Sequence, residues 1–280
     1  MKHSIPLILL GFLASSASAA QYTVIAQESF DYAAGPLGNM NGGSGWADSW
    51  WSGANQDDAL VTSPGMDPVG NQATTQWEHA GSYRLLDLAD FGPILDNGVL
   101  GKDNTTIWFH FRTKRTPGGD DFYGGFSMNW QWNGEQLRMG SPWGSDEWGV
   151  ELPWQTAPYF IPGTQCDTEA RLVTRIDFLP GDERVQMWVD PGVDYPSSAP
   201  GLDVMMPDMR FNEVYIQSGS GSVTGFDFDD LVVSTPVFGP YYGLSDLVAG
   251  QAADISVVNL GAGNAVIVGY SMIGPGPTHT

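Results

Sequence analysis

A single cysteine, Cys166, in a chain of 280 residues rules out an intramolecular disulfide. The fold must then be held by buried apolar surface, with bound metal as the other source of stability open to it. Basic residues are nearly as scarce: 11 Lys and Arg stand against 32 Asp and Glu, a formal charge of −21. Such a surface repels nucleic acid and anionic membranes, whose recognition rests on basic patches. After residue 13 no apolar run approaches the roughly 20 residues that a spanning helix requires. No apolar stripe of period 3.6 is sustained either, which removes helices as the main architecture. Catalytic signatures are missing as well. There is no His-Glu-x-x-His pair, no Gly-x-Ser-x-Gly elbow and no phosphate loop, and the four histidines, His3, His79, His110 and His279, have no metal-ligand spacing. Cys166, in a turn-rich stretch without a nearby partner, reads as an inert loop thiol.

What is present begins with MKHSIPLILLGFLASSASAA: a basic residue, an apolar run from Ile5 to Leu13, and Ala17-Ser18-Ala19 as a small-x-small cleavage site. Residues 1–19 therefore read as a secretory signal peptide, and the mature chain as exported. Thirty-six Gly and 19 Pro punctuate the rest. Between them lie short runs of alternating β-branched and aromatic residues: QYTVIAQESF, TTIWFHFRTK, GGFSMNWQW, EQLRM, EARLVTRIDF, ERVQMWVD, EVYIQS and TGFDFDDLVVS. The pattern predicts an all-β sandwich over residues 20–235. GANQDDALVTSPGMDPVGNQ is assigned to loops and short strands. TPVFGPYYG, from Thr235, is a Pro/Gly hinge, and residues 236–280 hold a short, truncated-looking β-rich extension.

The stretch SMNWQWNGEQLRMG, residues 127–140, predicts a hairpin about Asn133-Gly134, a pair suited to a two-residue turn with positive φ at both positions. Counting outward pairs Trp130 with Leu137 and Met128 with Met139. It leaves Asn129, Gln131, Gln136 and Arg138 on the other face. In the same way Trp108, His110 and Arg112 lie opposite Ile107, Phe109 and Phe111, while Trp188 and Tyr215 lie opposite apolar neighbours. If these strands share one sheet, Trp108, His110, Arg112, Asn129, Gln131, Gln136, Arg138, Trp188 and Tyr215 form a surface of aromatic plates and hydrogen-bond donors suited to a polysaccharide. The opposing reading is an ordinary solvated face with some tryptophans covered by loops. The two arginines tilt the ligand toward an anionic glycan.

Glu28-x-Phe30-Asp31-Tyr32, the turn Gly42-Gly43-x-Gly45-Trp46 and Phe226-Asp227-Phe228-Asp229-Asp230-Leu231 resemble the opening and closing strands of laminin-G-like, concanavalin A-like jelly rolls in secreted bacterial proteins. The resemblance spans about residues 22–235. It implies two antiparallel sheets whose first and last strands pair, often with one structural Ca²⁺ and a face available for glycans. On that basis Glu28, Asp31, Asp227, Asp229 and Asp230 are the expected calcium ligands, since Ca²⁺ takes six to eight oxygens. Enzymes of this fold would show a Glu-x-Asp-x-x-Glu string or a Gln-x-His string, and neither occurs. Glu147 and Glu151 would lie about 13 Å apart along a strand, too far for a retaining pair. The expectation is a secreted, non-catalytic glycan-binding or adhesion sandwich. A polysaccharide-cleaving hydrolase or lyase with its site around His110, Arg112 and Tyr215 is the alternative, and a purely structural extracellular domain is a third.

Overall fold

The computed structural model describes residues 24–53, 57–66, 70–76, 80–116, 123–131, 133–153, 155–191, 198–219 and 224–235, and the backbone of 241–245 and 254–258. The expected signal peptide lies outside the described residues, as does most of the expected C-terminal extension. Among the described residues, no helix is long and apolar enough to cross a membrane.

Five strands come first: β1 (Val24–Glu28), β2 (Gly35–Pro36), β3 (Leu60–Thr62), β4 (Gln72–Thr75) and β5 (Gly81–Leu85). A 3-10 turn and the small ribbon β6 (Leu95–Asp96) and β7 (Val99–Leu100) lead into β8 (Thr105–Arg115). The middle of the chain supplies β9 (Gly124–Trp130), β10 (Gly134–Ser141), β11 (Gly149–Glu151), β12 (Tyr159–Phe160), β13 (Ala170–Phe178) and β14 (Glu183–Val189). The compact unit, which runs from Tyr22 to Phe238, closes with β15 (Leu202–Met206), β16 (Glu213–Ser218) and β17 (Phe226–Ser234). Beyond it, β18 (Tyr241–Ser245) and β19 (Asp254–Val258) form a separate antiparallel pair.

The strands form two large antiparallel sheets, the all-β jelly-roll sandwich expected. One has nine strands in the order β15-β14-β13-β8-β17-β4-β3-β2, with β1 also paired to β17. The other has six, β12-β11-β10-β9-β16-β5. First and last strands pair as expected, with Glu28 opposite Leu231. Alternation decides what each sheet buries. Ile107, Phe109 and Phe111 face inward from the nine-stranded sheet; Phe126, Met128, Leu137, Met139, Val214 and Ile216 meet them from the six-stranded one, none more than 1% exposed. The two layers interlock through Phe126, whose ring lies 5.7 Å from that of Phe109 and 5.1 Å from that of Phe111. Burying each such side chain contributes about 1.5–3 kcal/mol.

The β9–β10 hairpin forms in a different register from the one expected. Trp130 pairs with Gly134 and Glu135 with Asn129, and a bulge precedes the pair Leu137 with Met128. Of the pair Asn133-Gly134 only Gly134 has positive φ, at 93°, and Gly134 is itself paired with Trp130, so this pair does not form a two-residue turn. The bulge restores the faces: Leu137 and Met139 still point inward and Arg138 outward.

Candidate functional site

The outer face of the six-stranded sheet is set by β16, whose Val214 and Ile216 enter the core and whose Glu213, Tyr215 and Gln217 therefore face out. Tyr215 is opposite Tyr83 on one side and Ser127 on the other. Ser127 is opposite Arg138, and Arg138 opposite Glu151. Trp51 bridges to Tyr83 at the sheet edge. One row thus crosses every strand from β5 to β11: Trp51, Tyr83, Tyr215, Ser127, Arg138, Glu151. Five spacings of about 4.8 Å make it about 24 Å long. The next row, two residues along each strand, reads Gly81, Gln217, Gly125, Gly140 and Gly149. It carries one side chain, so the aromatic row borders a strip made almost wholly of glycine, all of it buried. Tyr215 leans over that strip, because a Cβ on Gly81 would come within 2.5 Å of its ring.

Aromatics occupy both ends of the row. Tyr83 and Tyr215 stack with ring centroids 3.9 Å apart, and Trp51 stacks on Tyr83 at 4.7 Å. At the far end the Arg138 guanidinium lies 4.9 Å from the Tyr123 ring, and Trp143, 55% exposed, lies 4.9 Å from that same ring. Between them is a closed polar network. Arg138 pairs with Glu135 at 2.8 Å and with Glu151. Glu135 Oε1 accepts from Ser127 Oγ at 2.5 Å and from Gln217 Nε2 at 2.6 Å. Burial, and then Tyr83, pushes the Tyr215 phenol well above its ordinary value, so it stays a hydroxyl donor. Asn129 donates to Glu213 Oε2, while Glu213 Oε1 is buried without a hydrogen-bond partner. Burial raises the Glu213 carboxyl to about 7; the neighbouring Asp48 adds to the rise and Asn129 opposes it.

The nine residues expected to share one surface are divided. Trp108, His110, Arg112 and Trp188 lie on β8 and β14 of the nine-stranded sheet, and Asn129, Arg138 and Tyr215 lie on β9, β10 and β16 of the other. In a sandwich the outer faces point in opposite directions, so the two sets cannot touch one ligand. Trp108 and Trp188 are each 4% exposed and pack on Val173 as a small outer cluster, with Trp188 Nε1 donating to Ser198 O at 3.0 Å. Burial and then Arg171 lower His110 to about 3, a neutral imidazole that cannot serve as an acid near neutrality. Arg112 pairs with Glu169 and, at 3.8 Å, with Asp230. Gln131 and Gln136 sit at the hairpin end. Gln131 N–H donates to Asn212 Oδ1, and Gln136 Nε2 donates to the carbonyl of Gly134. Neither joins the row.

The expected calcium ligands do not converge. Glu28 turns inward, where Arg84 meets Oε2 at 2.5 Å and Tyr32 and Trp50 also donate to that oxygen, so a guanidinium stands where a cation was expected. Asp31 accepts from the backbone of Asn71, and Asp227 from Thr74. Asp229 accepts from the backbone of Met66, and Asp230 lies beside Arg112. Among the described residues, no three His, Cys, Asp or Glu side chains group closely enough to hold an ion. Cys166 is buried and its thiol is pushed up to about 12 by that burial, in keeping with an inert thiol.

Sequence reasoning missed Trp51, Tyr83, Tyr123, Ser127, Glu135, Trp143 and Glu213. Alternation could have supplied Glu213, which shares the parity of Tyr215. Nothing local marks Trp51, which reaches the face only through the pairing of a loop with β5.

No family model matches the chain, and no curated protein matches it. Several solved structures show a distant likeness. An alginate lyase from Corynebacterium sp. is 9% identical, covering 72% of this chain and 92% of its own, with a TM-score of 0.42. The cellulose-induced protein Cip1 is 11% identical over 67% and 90%, with a TM-score of 0.39. The CBM22-1 xylan-binding domain from Paenibacillus barcinonensis Xyn10C is 8% identical over 78% and 97%, with a TM-score of 0.35. Similarity at this level carries no argument about activity.

Proposed function

We propose that this protein is an exported, non-catalytic module that binds a polysaccharide across the outer face of its six-stranded sheet. The observation that carries the reading is the row Trp51–Tyr83–Tyr215–Ser127–Arg138–Glu151 beside a strip lined almost wholly by glycine. The accessible ends of the row, Trp51 and Tyr83 at one and Tyr123 and Trp143 at the other, offer aromatic surface for the C–H faces of a sugar chain, and the polar groups between them, Tyr215, Ser127, Arg138 and Glu151, are held fixed at no more than 6% exposure. The charge favours a neutral chain over the anionic one expected from sequence, because Glu135 and Glu151 offset Arg138 twice over. The test is fluorescence titration with neutral and anionic polysaccharides. Trp143→Ala and Gln217→Ala are expected to weaken binding of a neutral glycan about 10-fold, the size of a moderate hot-spot loss. Unchanged affinity in both variants would remove the face from the account.

One observation favours a second reading, glycan cleavage on the same face. Glu213 holds a proton up to about pH 7 and has an unpartnered oxygen, properties suited to proton transfer. Release of reducing ends from a bound polysaccharide, abolished in Glu213→Gln without loss of binding, would establish it.

A further inference from the structure

The aromatic row does not stop at the sheet edge. Trp51 also lines a groove of about 470 Å³ with Gly38, Asn39, Ser52, Asp57 and Asp58, a volume within the range of small-ligand sites. The geometry points to this groove as an end subsite for a neutral sugar residue, which would stack on the Trp51 indole and give hydroxyl hydrogens to Asp57 and Asp58. The inference rests on the glycan reading of the adjoining face and extends it beyond β5.

Three features carry it. First, the groove is continuous with the row, because Trp51 exchanges two backbone hydrogen bonds with Tyr83, of 3.0 and 2.7 Å, and its ring stacks on Tyr83. Tyr83 covers one face of the indole, and Trp51, not Tyr83, lines the groove. Second, the walls are fixed by backbone pairing. Asn39 N–H donates to Trp50 O at 2.7 Å, Leu37 N–H to Ala59 O at 2.8 Å, and Gly81 N–H to Asp57 O at 3.0 Å. Ser52 Oγ holds Asp58 Oδ1, and Asp58 Oδ2 lies against Gly38, where a Cβ would come within 2.8 Å of it. Glycine at 38 therefore keeps the room that this carboxylate occupies. A site built this way loses little ordering entropy when a ligand enters. Third, the lining is acidic. Two carboxylates and no Lys, Arg or His are among the described residues that line it, so a uronate or sulfated sugar is repelled while a neutral sugar finds two acceptors. Calcium would need six to eight oxygens, and no group of three metal-ligating side chains exists among the described residues.

The deciding experiment is calorimetric titration of the mature protein with cellohexaose, xylohexaose, mannohexaose and laminarihexaose, and with hexamers of polygalacturonate and polyguluronate. Asp57→Asn, Trp51→Ala, Gln217→Ala and Trp143→Ala are titrated beside the wild type. A neutral hexamer is expected to bind, with about 10-fold loss in Asp57→Asn and in Trp51→Ala. The corresponding trimer is expected to lose its dependence on one end of the row. Asp57 is exposed, so its amide variant keeps the test valid should loss of Trp51 unfold the edge. Unchanged affinity in Asp57→Asn and in folded Trp51→Ala, alongside weakened binding in Gln217→Ala or Trp143→Ala, would overturn the subsite and spare the glycan face. Tighter binding of an anionic hexamer would overturn the neutral assignment, and silence toward every hexamer would remove the glycan reading itself.

Discussion

At the scale of single residues, carboxylates that look alike in the sequence have been given different work. Glu28 is buried against Arg84, whose side chain is wholly inaccessible. Removing either partner would leave a buried charge uncompensated, the circumstance in which an ion pair matters most. Glu213 and Glu183 are buried too, and both are raised from 4.5 to about 7, by desolvation before any other cause. In each, the folded state binds the proton more tightly than the unfolded chain does. Their contribution to stability is therefore fully present below about pH 4.5 and is lost as the pH rises through 7. Urea midpoints measured from pH 4.5 to 8 are expected to decline for this reason. Glu213→Gln should flatten the decline by on the order of 2 kcal/mol, the product of the shift and about 1.4 kcal/mol per unit, discounted for relaxation. A midpoint that climbs between pH 5 and 7 with equal slope in wild type and Glu213→Gln would refute the assignment. Sequence could show Glu28 on the first strand and the acids on the last, but it could not show Arg84 arriving from another sheet to neutralise Glu28.

At the scale of elements, alternation was a dependable guide to which way side chains point and a poor guide to pairing. Each of the eight strongest runs contains a strand, and Met128, Leu137 and Met139 enter the core as their parity requires. Register is set by the turn, and the Asn133-Gly134 pair suggested the wrong one. Of the two, only Gly134 has positive φ, and a Cβ at that position would meet nothing within 4 Å. The cost of Gly134→Ala is then purely conformational, about 1 kcal/mol. Asn133→Ala should be close to neutral, within about 0.5 kcal/mol, as is usual for surface substitutions. Denaturation of the two variants checks this directly, for a type I′ turn would make both substitutions costly. The bulge after Glu135 is what turns Glu135 outward to Arg138 and Ser127, so the polar centre of the candidate site depends on a local irregularity that period-2 reasoning cannot contain.

At the scale of the whole molecule, the sandwich separates what composition had grouped. Polar and aromatic residues on the outer side of β8 and β14 share their pattern with those of β9, β10 and β16, yet two sheets lie between the groups. Alternation reports inside against outside; it holds no information about which of two outsides, because strand order is fixed by long-range pairing such as β8 with β17 and β16 with β9. The outer tryptophans of the nine-stranded sheet then acquire a structural role. Trp108 and Trp188 stack at 5.7 Å under Arg175, 5.6 Å from Trp108, and the carbonyl of Ser198 ties Trp188 down. Trp188→Ala should therefore cost about 3 kcal/mol, in the range for truncating a buried aromatic, and lower the melting temperature by several degrees. Its affinity for any glycan bound by the wild type should stay unchanged. Trp143→Ala should do the reverse, sparing stability because Trp143 is exposed and weakening binding because it ends the row. Calorimetric melting and glycan titration of the two variants separate the sheets cleanly: loss of binding in Trp188→Ala with an unaltered melting temperature would mean that the recognition face is on the nine-stranded sheet after all.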